Sequence, residues 1–336
     1  MATPDATRTP AAALIARMDR LPLTKEHRRA RRLGGLGYLF DTFDGTLMGY
    51  AMAAVIALWA IDESVAGWLL SSVFFGYLIG ALASGVLADR FGRRRLMLAA
   101  LVIFSVFSVL MATAQSPFEL FLWRMLSGIG LGAESVLVVP YLSELAPARY
   151  RSSFLGRTVA YFGYGGVLAG IGALLVIGPN ADTWWGWRVA GLIAVVPIAL
   201  LLIMRRSLPE SPRFLISQGR LAEAEEVISR FERSAGLEPA QTHPLTPEAG
   251  SSPVAPAPRK SFGAQLRAVF APGLRRRTLV IWLLWFALTG VNYGFSSWMV
   301  NMLIIAKGFT VSSGFLFAFT ASVAQVPGYL LASWLV

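Results

Sequence analysis

Residues 85–95 read GVLADRFGRRR, a short charged run between two apolar segments. One apolar segment, Val65 to Leu87, leads into this run and includes its first three residues, and a second, Leu96 to Ala114, follows it. Each is long enough to cross the hydrocarbon core of a bilayer as an α-helix, which takes about 20 residues. The run is therefore predicted to be a tight basic loop that joins two membrane-spanning helices.

The alternation of apolar segments and polar loops continues on both sides of this run. Eight segments have the length and composition of a membrane span: Leu33–Ala60, Val65–Leu87, Leu96–Ala114, Phe118–Leu142, Phe154–Ile177, Gly186–Met204, Thr278–Ile305 and Ser312–Val336. With 55% hydrophobic and 15% charged residues, the chain is too apolar to bury this surface in one water-soluble core. The sequence predicts an all-α integral membrane protein for which lipid is much of the solvent.

The loops differ in charge from one side of the membrane to the other. Four arginines between Arg28 and Arg32 precede the first segment, whereas Asp62 and Glu63 follow it. Arginines return in the 85–95 run and in every second loop after it. By the positive-inside rule, we expect a multi-pass protein of the cytoplasmic membrane with a cytoplasmic N-terminus.

A long polar stretch divides the chain into unequal parts. We expect a cytoplasmic N-terminal segment over 1–32, a six-helix half over 33–204, a cytoplasmic linker over 205–277, and over 278–336 the first two helices of an incomplete second half. Two such halves are related by an axis along the membrane normal. Within the linker, the spacing of apolar residues from Leu221 to Phe231 predicts a surface helix. Six prolines from Pro239 to Pro258 predict a disordered tether, and an interfacial helix is expected near Phe262–Phe270.

Composition excludes several classes of function. The chain has no cysteine, and its two histidines, His27 and His243, lie in polar stretches where we expect them to be solvated. No metal, cofactor or imidazole-based centre is therefore predicted. The net charge of +11 comes from arginines that flank apolar segments, so the expected partner is the bilayer and not nucleic acid. No nucleophile–base set or phosphate-binding loop indicates an enzyme.

The 85–95 run also carries a family signature. Six of its residues match the spacing G-x-x-x-D-R-x-G-R-R of the major facilitator superfamily: Gly85, Asp89, Arg90, Gly92, Arg93 and Arg94. Arg124, the stretch YLSELAPARYRS at 141–152 and PESPRFL at 209–215 resemble sugar-porter signatures. Ser152 stands where that pattern has glycine, and the stretch FALTGVNYGFSSW at 286–298 lacks the paired glutamines of a sugar binder. The resemblance implies a major-facilitator fold with a complete N-terminal half and the first two helices of the C-terminal half.

A closer resemblance lies near the start of the chain. ARMDRLPLTKEHRR at 16–29 leads into FDTFDG at 40–45, which is similar to the metabolite and aromatic-acid proton symporters, including niacin-type carriers. The superfamily resemblance implies a gating role for eight residues: Gly85, Asp89, Arg90, Gly92, Arg93, Arg94, Glu144 and Arg151. Carboxylate and guanidinium groups at helix ends can form charge-assisted bonds in one state and break them in the other. The alternative is an ordinary basic loop.

Ionisable residues within the apolar segments are the candidate site. Asp41 and Asp44 are three residues apart and share a helix face, where an ionised carboxylate costs at least about 2.5 kcal/mol. Their mutual repulsion favours protonation of one, which is what proton-coupled transport requires. Glu134 and Asp44 each lie about ten residues from one end of their segments, or about 15 Å deep, and are expected to face each other across a cavity.

Each of these residues has a structural alternative. Asp41 could cap its helix or extend to the surface, and Glu134 could hydrogen-bond a neighbouring helix. The resemblance implies that Arg124 pairs with the first-helix acid, whereas an arginine near the outer end could also reach the outer surface. Candidate substrate contacts are Tyr161, Tyr164, Asn292, Tyr293 and Trp298, which suit a planar organic acid, although each taken alone is more typical of packing or of interfacial aromatics.

We therefore predict a monomeric secondary transporter that carries a small organic acid, aromatic among the candidates, together with protons. Protonation of Asp44 or Glu134 would be coupled to substrate binding while the two halves rock about a central site. An efflux carrier that exchanges its substrate for protons is an alternative. A truncated membrane protein that transports nothing is another, if the chain ends at Val336.

Overall fold

The structure, a computed structural model, describes residues 10–193, 203, 207–238 and 262–335. In these ranges every regular element is helical. The α-helices are α1 (Pro10–Asp19), α2 (Lys25–Trp59), α3 (Glu63–Phe91), α4 (Arg93–Met111), α5 (Pro117–Leu145), α6 (Arg151–Val159), α7 (Tyr161–Gly172), α8 (Arg188–Ile193), α9 (Pro212–Ser217), α10 (Leu221–Ser234), α11 (Phe262–Val269), α12 (Arg275–Lys307) and α13 (Val311–Leu335). This confirms the all-α class predicted from the sequence.

Within the described ranges, seven helical segments are long and apolar enough to cross a membrane. They are α2, α3, α4, α5, the stretch Ala148–Asn180 that contains α6 and α7, α12 and α13. Each coincides with one of the predicted spans. The predicted sixth span, Gly186–Met204, is described only over 186–193 and at Ile203, and the proline-rich tether lies outside the described residues.

Polar caps set where the long helices begin and end. Thr24 caps α2, with its backbone N–H donating to Nδ1 of His27 at 3.2 Å, so α2 starts well before the apolar segment. The carboxylate of Asp62 caps α3 by accepting from Val65 N at 2.8 Å. At the other end of α3, Gly92 has φ +97°, a backbone conformation that glycine adopts readily. The basic run is therefore a helix end, one glycine and the start of α4.

Glycines bring α3 and α5 into backbone contact. A Cβ added to Gly76 or Gly80 of α3 would lie 1.8 or 2.0 Å from a carbonyl oxygen of α5. A Cβ on Gly128 or Gly132 of α5 would lie 2.2 or 2.1 Å from a carbonyl oxygen of α3. Small residues at such a seam let helix backbones approach closely in a membrane. The glycines of both helices therefore form the contact between α3 and α5.

Short helices cover the end of the bundle at which α3 meets α4, which we call the basic end. There α10 lies where the linker pattern predicts a surface helix, and α1 docks against it. Arg17 of α1 makes a bidentate bond to Glu232 at 2.7 and 2.9 Å and a second bond to Glu225 at 3.0 Å. Arg17 therefore joins the first described helix to the linker.

His27 corrects one expectation from the sequence. It is fully buried and not solvated, because Phe231 of α10 and Phe154 of α6 pack against its ring. Its ring lies 4.5 Å from the ring of Phe231 and 6.5 Å from that of Phe154, and its Nε2 is 3.1 Å from the carbonyl oxygen of Leu145. Since its Nδ1 accepts from Thr24, Nε2 is the donor to Leu145. His27 thus joins three parts of the chain at the basic end.

Candidate functional site

A cavity of about 140 Å³ lies between α2, α3, α5 and α7 on one side and α12 and α13 on the other. Four of the residues selected from the sequence line it: Asp41, Arg124, Asn292 and Tyr293. Asp41 and Arg124 are its charged lining residues in the described part of the chain. Asp41 of α2 and Arg124 of α5 therefore border one space.

Arg124 and Asp44 form a buried ion pair beside this cavity. Nη1 of Arg124 lies 2.8 Å from Oδ2 of Asp44, and the two side chains are 2% and 7% exposed. This arrangement is the pairing implied by the resemblance, and Arg124 does not reach the outer surface. Charge-assisted hydrogen bonding satisfies both buried groups, which would be costly if either stood alone.

Asp41 turns towards α5. Its Oδ2 accepts a hydrogen bond from the hydroxyl of Ser135 at 2.9 Å, and its side chain is half-buried at the cavity wall. It does not extend to the surface. A carboxyl with a hydroxyl partner on one side and a cavity on the other has no basic group in direct contact among the described residues.

Glu134 lies behind this wall and is 3% exposed. A Cβ on Gly37 would lie only 2.0 Å from its Oε1, so the carboxyl packs directly on the backbone of α2. Oε1 has no hydrogen-bond partner within the part of the chain that the structure describes. Ser135, the hydrogen-bond partner of Asp41, directly follows Glu134 on α5, so both carboxyls lie at the same level of the contact between α2 and α5.

The expectation that Glu134 faces Asp44 is wrong. Contacts of Gly34 with Val138 and of Gly37 with Glu134 set the antiparallel register of α2 and α5. Asp44 lies seven residues beyond Gly37, about 10 Å along the helix axis, and is therefore level with the turn that follows Arg124. One register thus explains both the Asp44–Arg124 pair and the separation of Asp44 from Glu134. Counting depth from segment ends could not supply that register.

Comparison with known proteins adds to this geometry. The family model described as "Sugar (and other) transporter" matches residues 44–335. The chain belongs to this transporter family. The niacin transporter NiaP of Acinetobacter baylyi is 32% identical over 96% of this chain and 70% of its own length. A benzoate transport protein of the same organism is 27% identical over 95% of this chain and 66% of its own length. The transporter chain therefore spans about two thirds of the length of these relatives.

A solved structure matches the fold of the transporter. The xylose transporter XylE from E. coli, in a partially occluded inward-open conformation, has a TM-score of 0.65 and 20% identity over 90% of this chain and 70% of that chain. This confirms the major-facilitator fold, and the relatives are transporters and not enzymes. In the described ranges, no three histidine, cysteine or carboxylate side chains cluster as a metal site requires.

The basic run of the transporter forms a small ion-pair network. Arg93 lies 3.0 Å from Asp89 and 3.3 Å from Glu144, and Glu144 also accepts a hydrogen bond from the hydroxyl of Ser211. The backbone N–H of Arg94 donates to Glu210 at 3.1 Å. The signature thus contacts both the end of α5 and the PESPRFL stretch.

The remaining members of the predicted gating set lie beside this network. Arg90 stacks over the ring of Phe91 at 5.3 Å, and Arg151 donates to Asp19 at 3.0 Å. Gly85 has open space around it, since a Cβ there would meet nothing within 4 Å. A gating role for these residues stays a prediction.

Three of the predicted substrate contacts do not line the cavity, and one of them, Tyr164, is exposed. The ring of Tyr161 covers Gly35, Tyr164 makes an edge contact with Tyr161 at 5.9 Å, and Trp298 lies against Gly67. Cavity residues that the sequence analysis did not select include Phe74, Tyr77, Phe162, Ser322, Gln325 and Tyr329. For Gln325 a signal existed, because an amide in an apolar span is unusual.

Proposed function

We propose that this transporter carries a small aromatic carboxylic acid together with a proton across the cytoplasmic membrane. Two relatives named for niacin and benzoate support the substrate class, since both compounds are planar aromatic acids. The cavity supports it too, because it combines one arginine with aromatic rings. Alternating access of the two halves belongs to the same proposal.

Arg124 binds the substrate carboxylate in this proposal. Arg124 lines the cavity, and Asp44 accepts a hydrogen bond from Nη1 alone. Nε of Arg124 has no hydrogen-bond partner in the described ranges. A guanidinium has five donors in one plane, so it can hold Asp44 and a second carboxylate together.

The ring of the substrate packs against aromatic side chains. Phe74 of α3 and Tyr293 of α12 meet edge to face at 5.2 Å and both line the cavity. Such rings favour edge or offset contacts with a further planar ring. Because they come from opposite walls and already touch, a substrate ring packed against this pair would contact both α3 and α12.

The single observation that supports proton coupling is the environment of the Glu134 carboxyl. It is buried, packed on Gly37 and, in the described chain, has no hydrogen-bond donor on Oε1. An ionised carboxylate without a partner is costly to bury, so Glu134 holds a proton in this state. Asp41, which does reach the cavity, passes the proton between Glu134 and water. Because Arg124 neutralises the charge of Asp44, the proposal assigns proton transfer to Asp41 and Glu134.

The ion pairs at the basic end take part in alternating access in this proposal. Asp89, Arg93 and Glu144 hold α3, α4 and α5 together on the cytoplasmic side, and rocking of the halves rearranges these bonds. The hydroxyl of Ser211 extends the network to the segment that leads into the second half.

The test is transport by the full-length protein in proteoliposomes. Radiolabelled nicotinate and benzoate are offered with the lumen alkaline relative to the outside, and we expect uphill accumulation that a protonophore abolishes. Glu134→Gln should keep substrate counterflow, which needs no net proton movement, and lose gradient-driven accumulation. Glu119→Gln is the matched control, because Glu119 lies in the first turn of the same helix and bonds Gln115 N at 2.7 Å.

Two outcomes would contradict the proposal. Accumulation by the wild-type protein that ignores the pH gradient would remove proton coupling. Accumulation driven only by the opposite gradient would indicate proton-exchange efflux in place of symport.

A further inference from the structure

One side chain on α13 stands apart from the rest of that helix. Among the residues of Val311–Leu335, Gln325 alone carries an amide, and none is charged. An amide that faces hydrocarbon loses its hydrogen bonds to water and gains none, which is costly. Polar groups within spans therefore turn towards the bundle interior or a water-filled cavity.

Gln325 turns towards the cavity. It shares one lining stripe with Ala318, Ala321, Ser322 and Tyr329, which recur at helical spacing. No hydrogen bond within the described part of the chain occupies its amide, and its side chain is exposed to the open cavity. The amide is thus oriented towards the space that the substrate would enter.

The position of Gln325 is fixed by helix packing. A Cβ on Gly170 of α7 would lie 2.7 Å from the ring of Phe319, and one on Gly163 would lie 3.0 Å from the ring of Tyr329. These contacts lie on both sides of Gln325 along α13. The close approach of α7 and α13 therefore fixes where the backbone of Gln325 lies on the wall.

The two walls of the cavity differ in charge. Asp41 and Arg124 belong to α2 and α5, whereas α12 and α13 contribute neutral groups such as Asn292, Ser296 and Gln325. A substrate that places its carboxylate against Arg124 turns its opposite edge to this neutral wall. That orientation rests on the function proposed above.

We propose that Gln325 is a specificity-determining residue that hydrogen-bonds a neutral polar group on the substrate ring, away from the carboxylate. The group is a ring nitrogen or a ring hydroxyl. A primary amide both donates and accepts, so it can pair with either chemistry. Asn292 offers a second amide on the same wall.

The experiment compares three ligands that differ in this group. Dissociation constants for nicotinate, 4-hydroxybenzoate and benzoate are measured on the purified full-length protein in detergent. We expect the wild type to prefer at least one of the two polar acids to benzoate. Gln325→Leu should reduce that preference about tenfold, the worth of one neutral hydrogen bond, and leave the benzoate value within about twofold. The acid whose preference is lost identifies the group as nitrogen or hydroxyl.

Further variants keep the result interpretable. Gln325→Met retains the side-chain length, so it replaces Gln325→Leu if leucine impairs folding. Folding of each variant is checked by its elution profile and thermal stability. Thr320→Val is the matched control on α13, because the hydroxyl of Thr320 bonds its own helix at Leu316 O, 2.8 Å away. It should bind all three acids as the wild type does.

The outcomes separate this inference from the function on which it rests. A wild type that binds none of the three acids contradicts the proposed function, and the role of Gln325 falls with it. Wild-type binding with no preference for a polar acid, or with a preference that both Gln325 variants keep, overturns only the role of Gln325. An equal loss in Thr320→Val also overturns it.

Discussion

Replacing Gly37 with alanine would move the carboxyl of Glu134 without removing it. The added Cβ would lie 2.0 Å from Oε1 and 3.0 Å from Cδ of Glu134, whereas an ordinary contact begins at 3.4 Å. The carboxyl oxygen must therefore move by about 1.4 Å. The obstacle is the far end of a flexible side chain, so the helices themselves can stay in place.

The expected effect is on coupling and not on stability. An off-rotamer side chain costs about 0.5–1.5 kcal/mol, and alanine gains about 0.5–1 kcal/mol over glycine inside a helix. The two nearly offset, so we expect thermal stability close to the wild type. A proton-transfer group displaced by about 1 Å can slow its step as much as 100-fold, so gradient-driven accumulation should fall about 10- to 100-fold.

The assay is the ratio of gradient-driven accumulation to counterflow in proteoliposomes of the full-length protein. Gly45→Ala is the matched control on α2, because a Cβ there would meet nothing within 4 Å. Gly45 lines the cavity, and the ratio corrects for any change in substrate binding. A folded Gly37→Ala protein with the wild-type ratio would refute the assignment of Glu134.

Further predictions concern the scaffold. Gly80→Ala should destabilise the protein by about 1–3 kcal/mol, because its Cβ would lie 2.0 Å from a backbone oxygen of α5, whereas Gly85→Ala on the same helix should not; equal melting temperatures in detergent would contradict this. Asp44→Asn should cost about 3–5 kcal/mol by leaving Arg124 charged and unpaired, and Arg124→Gln should recover part of it in the double variant; strictly additive losses would contradict the pair. Arg17→Ala should speed hydrogen exchange in α1, measured against α3 as internal reference, because it removes the ion pair with Glu232 that ties α1 to α10. Unchanged exchange would contradict this role of the ion pair.

The spans were predictable because length and hydrophobicity act locally. The surface helix α10 was predictable from periodicity, and its apolar residues Ala224, Ile228 and Phe231 are buried. The resemblance also indicated that Arg124 would pair with a first-helix acid, which the ion pair with Asp44 bears out as a contact.

Other features depend on contacts between distant parts of the chain. The sequence predicts a solvated His27, because the residues that bury it, Phe154 and Phe231, lie far along the chain. The neighbour of Glu134 depends on helix register, which the contacts of Gly34 and Gly37 with α5 decide. Sequence spacing within one helix gives the face of a residue but not its level against another helix.

Proton movement that accompanies the substrate tests the central claim most directly. Nicotinate is added to proteoliposomes without an imposed gradient, and lumenal pH is followed with a trapped dye against protein-free liposomes. The account predicts protein-dependent acidification of the lumen in the wild type and its loss in Glu134→Gln, with substrate counterflow retained. Acidification by Glu134→Gln equal to that of the wild type would contradict it.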